Sequence, residues 1–238
     1  MQDLILPHRI TSYECGADKL MKPECFQHFC QEMAEEHASA HGFGYDWVMN
    51  NRTAWVQVQG NYEIERRPAW KEKIYLRTNT GKASALQAGR FVEMTDAAGN
   101  VLARADLQWV IIHLDTRRPV PPRRVGLPLE APCPVLGTPI EEPEWSDNTI
   151  SSVEILATRR DEDFNGHINN SAYLIWALDT LPATQKPGAE ILRYRINFRG
   201  ESHAGETMSI SHYVQGNYTR HLISGGGDLR AEIVIEWK

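Results

Sequence analysis

Asp161-Glu-Asp-Phe-Asn-Gly-His-Ile-Asn-Asn-Ser-Ala-Tyr-Leu-Ile-Trp176 is the stretch from which the fold can be read. Ahead of it, Ile150-Ser-Ser-Val-Glu-Ile-Leu-Ala-Thr158 reads as a strand. After it the chain is apolar and helix-like over roughly 169–181, until Pro182 stops it. Acid, amide and imidazole groups are thus delivered where a strand hands over to a helix start. Backbone N–H groups lack intrahelical partners there, and the helix dipole is positive. The N–H groups of Ile168 to Asn170 are therefore expected to be free.

Downstream, strand-like runs cover 190–199, 207–214, 217–224 and 230–237, with a Gly225-Gly-Gly-Asp228 turn before the last. The order is β, helix, four strands. The first half has the same order. A strand over 5–13, interrupted by Pro7, precedes a helix opened by Pro23 with Glu24 in its first turn. Phe26, Phe29, Cys30, Met33, Ala34, His37 and Ala38 recur at i, i+3, i+4 and i+7, which predicts one apolar face. The helix is expected to end at His41-Gly-Phe-Gly44. Four antiparallel strands follow over 53–65, 73–78, 85–95 and 101–113, with a hairpin at Asp96-Ala-Ala-Gly-Asn100.

Between the halves, Arg117 to Asp147 holds eight of the thirteen prolines, a density that predicts an extended linker with neither ladder nor helix. The expectation is an α+β pseudo-dimer: residues 1–116, a linker over 117–148, and 149–238. The two halves share element order and little sequence.

At 238 residues, 42% hydrophobic and 24% charged, the chain can bury a core and is not disordered by composition. A net charge of −6 argues against a general nucleic-acid binder. No apolar run is long enough to span a membrane, and no basic-then-apolar leader opens the sequence. The predicted location is the cytoplasm. Cys15, Cys25, Cys30 and Cys133 form no Cys-x-x-Cys pair and read as reduced, idle thiols.

Two plain readings compete for the opening stretch. Asp161-x-Asp163-x-Asn165-Gly166 matches the first half of a calcium loop, but position 12 falls on Ala172, where a bidentate glutamate is needed. Alternatively, Asp163, Asn165 and Asn169 only cap the helix, and His167 is structural. Against this, Asp-x-Asn-x-His-x-Asn-Asn holds more polar groups than one cap uses.

The full pattern Asp163-Phe-Asn165-Gly-His167-Ile-Asn169-Asn170-Ser-Ala-Tyr173-Leu-Ile-Trp176 resembles the signature of acyl-acyl-carrier-protein thioesterases, Asp-x-Asn-x-His-Val-Asn-Asn-x-x-Tyr-x-x-Trp, with Ile168 at the valine. Gln31-Glu-Met-Ala34, Trp55 and the run Trp109-Val-Ile-Ile-His-Leu-Asp115-Thr-Arg-Arg-Pro119 also resemble the family in outline. The resemblance implies a tandem hotdog fold, two long helices each wrapped by a curled antiparallel sheet. It implies that Asp163, Asn165 and His167 are catalytic, with a further acid at Glu201 in Glu201-Ser-His-Ala-Gly-Glu206. Plant members often carry a cysteine where Ser202 stands, and no cysteine follows Cys133, so a Cys-His-Asn mechanism is hard to sustain. Asn79 stands where many members have tryptophan.

In this reading Glu201 is the general base or a nucleophile through a transient anhydride, Asn165 and His167 orient water and thioester, and Asp163 holds the loop. Asn169, Asn170, Tyr173, Trp176, Phe29 and Met33 are the expected substrate contacts, with the first half forming the acyl tunnel. The implied partner is an acyl carrier protein bearing a fatty acyl-phosphopantetheine, met by some of Arg117, Arg118, Arg123, Arg124, Arg159 and Arg160. A homodimer is allowed, and no metal or cofactor is required. An acyl-CoA thioesterase on the same fold and a non-catalytic acyl-chain binding module remain as alternatives.

Overall fold

The computed structural model describes residues 2–81, 84–127, 140–146 and 150–238. The chain divides into two compact units, Met1–Gly137 and Thr138–Lys238. Part of the expected linker, 128–139 and 147–148, lies outside the described residues.

In the first unit, β1 (Leu4–Arg9) precedes the long helix α1 (Pro23–Ala40) and a short helix α2 (Tyr45–Asn50). The strands β2 (Thr53–Ile64), β3 (Lys73–Thr80), β4 (Gln87–Asp96) and β5 (Val101–His113) follow. Their order within the unit is β1-β3-β4-β5-β2, with antiparallel pairing throughout. Pro7 is tolerated because β1 pairs on one side only, with β3. The β4–β5 hairpin closes as its sequence predicts: Asp96 Oδ1 accepts from the N–H groups of Ala98 and Asn100 at 2.8 and 2.9 Å.

α1 packs on β3 and β4 and buries Phe26, Cys30, Met33, Ala34, His37 and Ala38. Each fully buried Phe or Met side chain contributes about 1.5–3 kcal/mol. Phe26 meets Tyr62 of β2 edge-on at 6.2 Å. The helix stops at Gly42 (φ +79°), and the Phe43 N–H closes back on the Ala38 carbonyl at 2.8 Å. Sequence pattern gave no sign of α2, since six residues carry too little periodicity to register.

The expectation that residues 117–148 form neither ladder nor helix is corrected over its first part. Pro119–Val120 forms a two-residue strand, β6, paired with Ile111 and Ile112 of β5, and Pro122–Val125 forms a 3-10 turn. Proline is admissible at a strand's first residue and at the first position of a helical turn, where no N–H is needed.

The second unit runs β7 (Ser151–Leu156), α3 (Asn170–Thr180), a 3-10 turn at Ala183–Gln185, then β8 (Ile191–Phe198), β9 (Thr207–Gln215), β10 (Tyr218–Gly225) and β11 (Asp228–Trp237). Within the unit the strands lie in the order β7-β9-β10-β11-β8, all antiparallel. Thus β11 is inserted between β10 and β8. α3 packs on β9 and β11 and buries Ala172, Tyr173, Leu174, Trp176 and Ala177.

A buried polar chain ties α3 to this sheet. His212 of β9 and His221 of β10 are cross-strand partners whose Nδ1 atoms lie 2.7 Å apart. Trp237 Nε1–H donates to Thr219 Oγ1 at 2.9 Å, and His221 Nε2 meets the same oxygen at 3.0 Å. At the other end, His212 Nε2 meets Thr180 Oγ1 at 3.1 Å, and that hydroxyl donates to the Trp176 carbonyl at 2.5 Å. A carbonyl can only accept, so the Thr180 hydroxyl donates to Trp176 and accepts from His212 Nε2–H; with both rings neutral, His212 Nδ1 then accepts from His221 Nδ1–H, and His221 Nε2 accepts from the Thr219 hydroxyl. His221 carries its proton on Nδ1 and His212 on Nε2, and both rings are neutral. Burial pushes His221 down to about 3 and lowers His212, in keeping with that assignment.

Candidate active site

The loop between β7 and α3 is built on Asp163. Its Oδ1 accepts from the N–H groups of Asn165 at 2.8 Å and His167 at 3.3 Å. Its own N–H donates to the His167 carbonyl at 2.8 Å, and its carbonyl accepts from Gly166 at 3.1 Å. The turn needs Gly166 at φ +78°, and a Cβ there would meet nothing within 4 Å, so the requirement is backbone conformation and not space. Asp163, Asn165 and His167 are held together as a result. Asn165 is exposed, and its Nδ2 lies 3.5 Å from Asp163 Oδ2, long enough to leave that amide largely uncommitted.

Asn169 is the N-cap of α3: its Oδ1 accepts from Ser171 N–H at 2.9 Å and Ser171 Oγ at 2.8 Å. The capping reading is therefore correct for Asn169 and does not account for Asn165 or His167. Asn170 opens the helix and is half-buried.

The expectation of free N–H groups at the helix start is corrected at two positions. Ile168 N–H donates to the Ser202 carbonyl at 2.8 Å, and Asn169 N–H donates to the Asp161 carbonyl at 2.7 Å. Both are consumed in joining the loop to its neighbours. The side-chain donors beside this loop include Asn165 Nδ2 and the ring nitrogens of His167.

The Ile168–Ser202 bond joins the motif to the segment after β8 that carries Glu201, a half-buried residue. Ser202 is fully buried and its Oγ accepts from the Tyr173 hydroxyl at 3.1 Å. Burial raises the Tyr173 phenol, the Ser202 hydrogen bond and Arg230 oppose this, and Glu206 and Glu201 add to it. Glu201 is therefore within electrostatic reach of α3. Tyr173 and Trp176, expected to touch substrate, are 2% and 7% exposed; Tyr173 packs edge-on against Trp176 at 5.3 Å and Phe198 at 5.8 Å.

His203 went unassigned in the sequence, although it lies within the Glu201–Glu206 segment. Its ring sits 5.1 Å from that of His167, and its Nδ1–H donates to the Gly166 carbonyl at 3.1 Å. The only available signal was a second histidine two residues after the candidate acid.

In the first unit a cavity of about 100 Å³ runs beside α1. Its wall takes the stripe Gln31, Ala34, Glu35 and Ala38. Met33 is instead in the core, and Phe29 packs on His8 at 4.8 Å. Neither lines the cavity; of the apolar face of α1, Ala34 and Ala38 do.

Comparison with known proteins agrees with this architecture. The Acyl-ACP thioesterase N-terminal domain matches residues 7–123, and the Acyl-ACP thioesterase C-terminal domain matches 146–238. The chain is 29% identical over 211 residues to oleoyl-acyl carrier protein thioesterase 2, chloroplastic, of Arabidopsis thaliana, covering 81% of this chain and 58% of that protein. It is 28% identical over 254 residues to dodecanoyl-[acyl-carrier-protein] hydrolase, chloroplastic, of Cinnamomum camphora, covering 96% of this chain and 66% of the relative. The chain thus spans about half to two-thirds of the length of the curated relatives it matches. Among solved structures, the 12:0-ACP thioesterase from Umbellularia californica superposes with a TM-score of 0.87 at 22% identity, covering 99% of this chain and 97% of that one. An acyl-ACP thioesterase from Bacteroides thetaiotaomicron gives 0.86 at 21% identity, covering 99% and 98%. These likenesses carry the tandem hotdog fold, and with both domains matched in order along most of its length the chain belongs to the acyl-ACP thioesterase family.

Proposed function

We propose that this chain hydrolyses acyl-acyl-carrier-protein thioesters to a free fatty acid and the carrier thiol. The observation that carries the reading is the Ile168 N–H to Ser202 carbonyl bond, which ties the Asp163-Asn165-His167 loop to the segment bearing Glu201. Family membership and the names of its relatives support the substrate class.

Hydrolysis needs an activated water, a donor for the developing oxyanion and a proton for the leaving thiol. Glu201 takes a proton from water as the water oxygen attacks the thioester carbon. Asn165 Nδ2 and the His167 ring donate to the oxyanion. Collapse of the tetrahedral intermediate breaks the carbon–sulfur bond, and the departing sulfur receives, relayed through His167, the proton that Glu201 took from water, so both residues return to their starting states. Asp163 acts on the reaction through the loop, since it fixes both Asn165 and His167. Cysteine chemistry is not needed, because the sequence has none after Cys133. In this reading the second unit is catalytic and the first takes the acyl chain, which the cavity beside α1 supports.

The test is release of free thiol from medium- and long-chain acyl-carrier substrates. No release from any of them, or full activity in both Asp163→Ala and Glu201→Ala, overturns the proposal. Parallel rates on acyl-CoA separate the carrier-protein reading from the acyl-CoA one.

A further inference from the structure

The segment after β8 touches the Asp163–His167 loop twice, and the two contacts fall on either side of His167. Before it, the Gly166 carbonyl accepts from His203 Nδ1–H at 3.1 Å. After it, the Ile168 N–H donates to the Ser202 carbonyl at 2.8 Å. Residues 202–203 thus run along 166–168, and Glu201 stands next in line. The Gly166–His167 peptide is held at both of its polar ends. Its N–H donates to Asp163 Oδ1 at 3.3 Å, and its C=O accepts from His203. Rotating that peptide breaks both bonds at once. Gly166, at φ +78° and without a Cβ, has the widest choice of backbone conformation in the loop, so the peptide it begins depends on such a hold.

His203 is itself fixed. Its N–H donates to Glu206 Oε1 at 3.1 Å, and the Glu206 N–H returns to the His203 carbonyl at 3.3 Å. This turn is fastened to Ala157, just past the end of β7. The Gly205 N–H donates to the Ala157 carbonyl at 2.8 Å, and the Ala157 N–H donates to the Glu206 carbonyl at 2.9 Å. The side chain that grips the loop is therefore anchored where the loop leaves its strand. A backbone carbonyl can only accept, so Nδ1 of His203 carries a proton, and in the neutral ring Nε2 can only accept. The neutral ring has no second donor to offer an oxyanion or a departing thiol. It lies 5.1 Å from the His167 ring at an interplanar angle of 60°, close enough to limit how far that imidazole can swing.

We infer that His203 is a positioning residue for His167: its Nδ1–H fixes the Gly166–His167 peptide and so holds the imidazole in register with Glu201. This role rests on the hydrolytic reading above, because it is defined relative to Glu201 and the attacking water. Small displacements of a reacting group are costly in rate, which gives such a brace its value. The bond and the ring can be separated by substitution. Asparagine places its Nδ2–H close to where histidine has Nδ1–H, so it keeps the donor and loses the ring. Phenylalanine keeps a ring and loses the donor.

The experiment is steady-state thiol release by the full chain from acyl-carrier substrates, with hydrogen exchange of the His167 and Ile168 N–H groups followed by NMR on the same proteins. His203→Phe is expected to lower kcat by about 10–100-fold with KM within about twofold, and to speed exchange of the His167 N–H by at least about tenfold, with the circular dichroism spectrum intact. His203→Asn is expected to stay within about threefold of the unaltered protein in both readouts. An equal loss in His203→Asn and His203→Phe, a loss that falls on KM alone, or unchanged exchange in His203→Phe overturns the inference. Should His203→Phe fail to fold, His203→Ala takes its place with the same expected outcomes. Absence of thiol release from the unaltered protein overturns the hydrolytic reading alone. The exchange rates then decide: faster exchange in His203→Phe with His203→Asn unchanged supports the brace, and equal rates in all three proteins overturn it.

Discussion

The two long helices begin in opposite ways. α1 starts after Lys22, whose side chain makes no capping hydrogen bond, and Pro23 occupies the first turn. Proline sets the backbone angle and removes a donor that would otherwise need a partner. α3 starts after Asn169, whose side chain caps it, and a loop built on Asp163 leads in. One start solves its donors by deleting one. The other is surrounded by acid, amide and imidazole groups beyond what its cap consumes. A helix start needs only a cap, so that surplus of polar groups is where chemistry is to be sought.

The largest expected effect separates the two starts by activity. Glu201→Gln and Asp163→Asn are each expected to lower thiol release by about 10²–10⁴-fold with the circular dichroism spectrum intact. Glu24→Gln, an equal change in the first turn of α1, is expected to alter it by less than about twofold. A comparable loss from Glu24→Gln would break the contrast.

The next effect is one of pH, and both units contribute to it. Burial holds His221 down to about 3 and His37 of α1 down to about 4, below the ordinary value of about 6.5. As pH falls below about 6.5 the unfolded chain binds protons that the folded chain refuses. Stability contributed by these neutral rings is full above that pH. It falls through the window down to about 4 for His37 and about 3 for His221. Denaturant unfolding between pH 7 and 4 is expected to show this slope. His221→Asn is expected to flatten it, at a cost of about 1–3 kcal/mol at pH 7 from the broken buried chain.

Smaller effects test the local geometry. Gly166→Ala is expected to cost about 1–2 kcal/mol, because alanine must take a left-handed conformation there. Asn169→Ala is expected to cost about 1 kcal/mol through loss of the cap, whereas Lys22→Ala is expected to be near neutral. Thermal unfolding of the pair measures the difference between the two helix starts directly.

Much of this architecture is legible in the chain. Alternation and the i, i+3, i+4 pattern locate the strands and α1, and Asp96 with Asn100 announces its hairpin. Three kinds of feature are not legible. α2 is too short for a period. β6 hides among prolines, because a residue that cannot donate can still accept at a strand's end. The third kind concerns partners: His212 and His221 are nine residues apart in sequence and 2.7 Å apart in space. Period-two patterning tells which face a side chain occupies; it does not tell whether a polar atom finds a partner there. The same limit applies to the N–H groups of Ile168 and Asn169, whose acceptors Ser202 and Asp161 are fixed only by the tertiary fold.

The position of β11 carries a consequence for biosynthesis. It is the last strand of the second unit to leave the ribosome, yet it lies between β8 and β10. Until residues 228–237 emerge, the β9–β10 hairpin and β8 each present an unpaired edge toward a missing neighbour, a condition that invites association between nascent chains. Closure of that sheet therefore waits for a single late insertion, and a ribosome that stalls before residue 228 leaves a product with two open edges and no Trp237 to complete the buried polar chain.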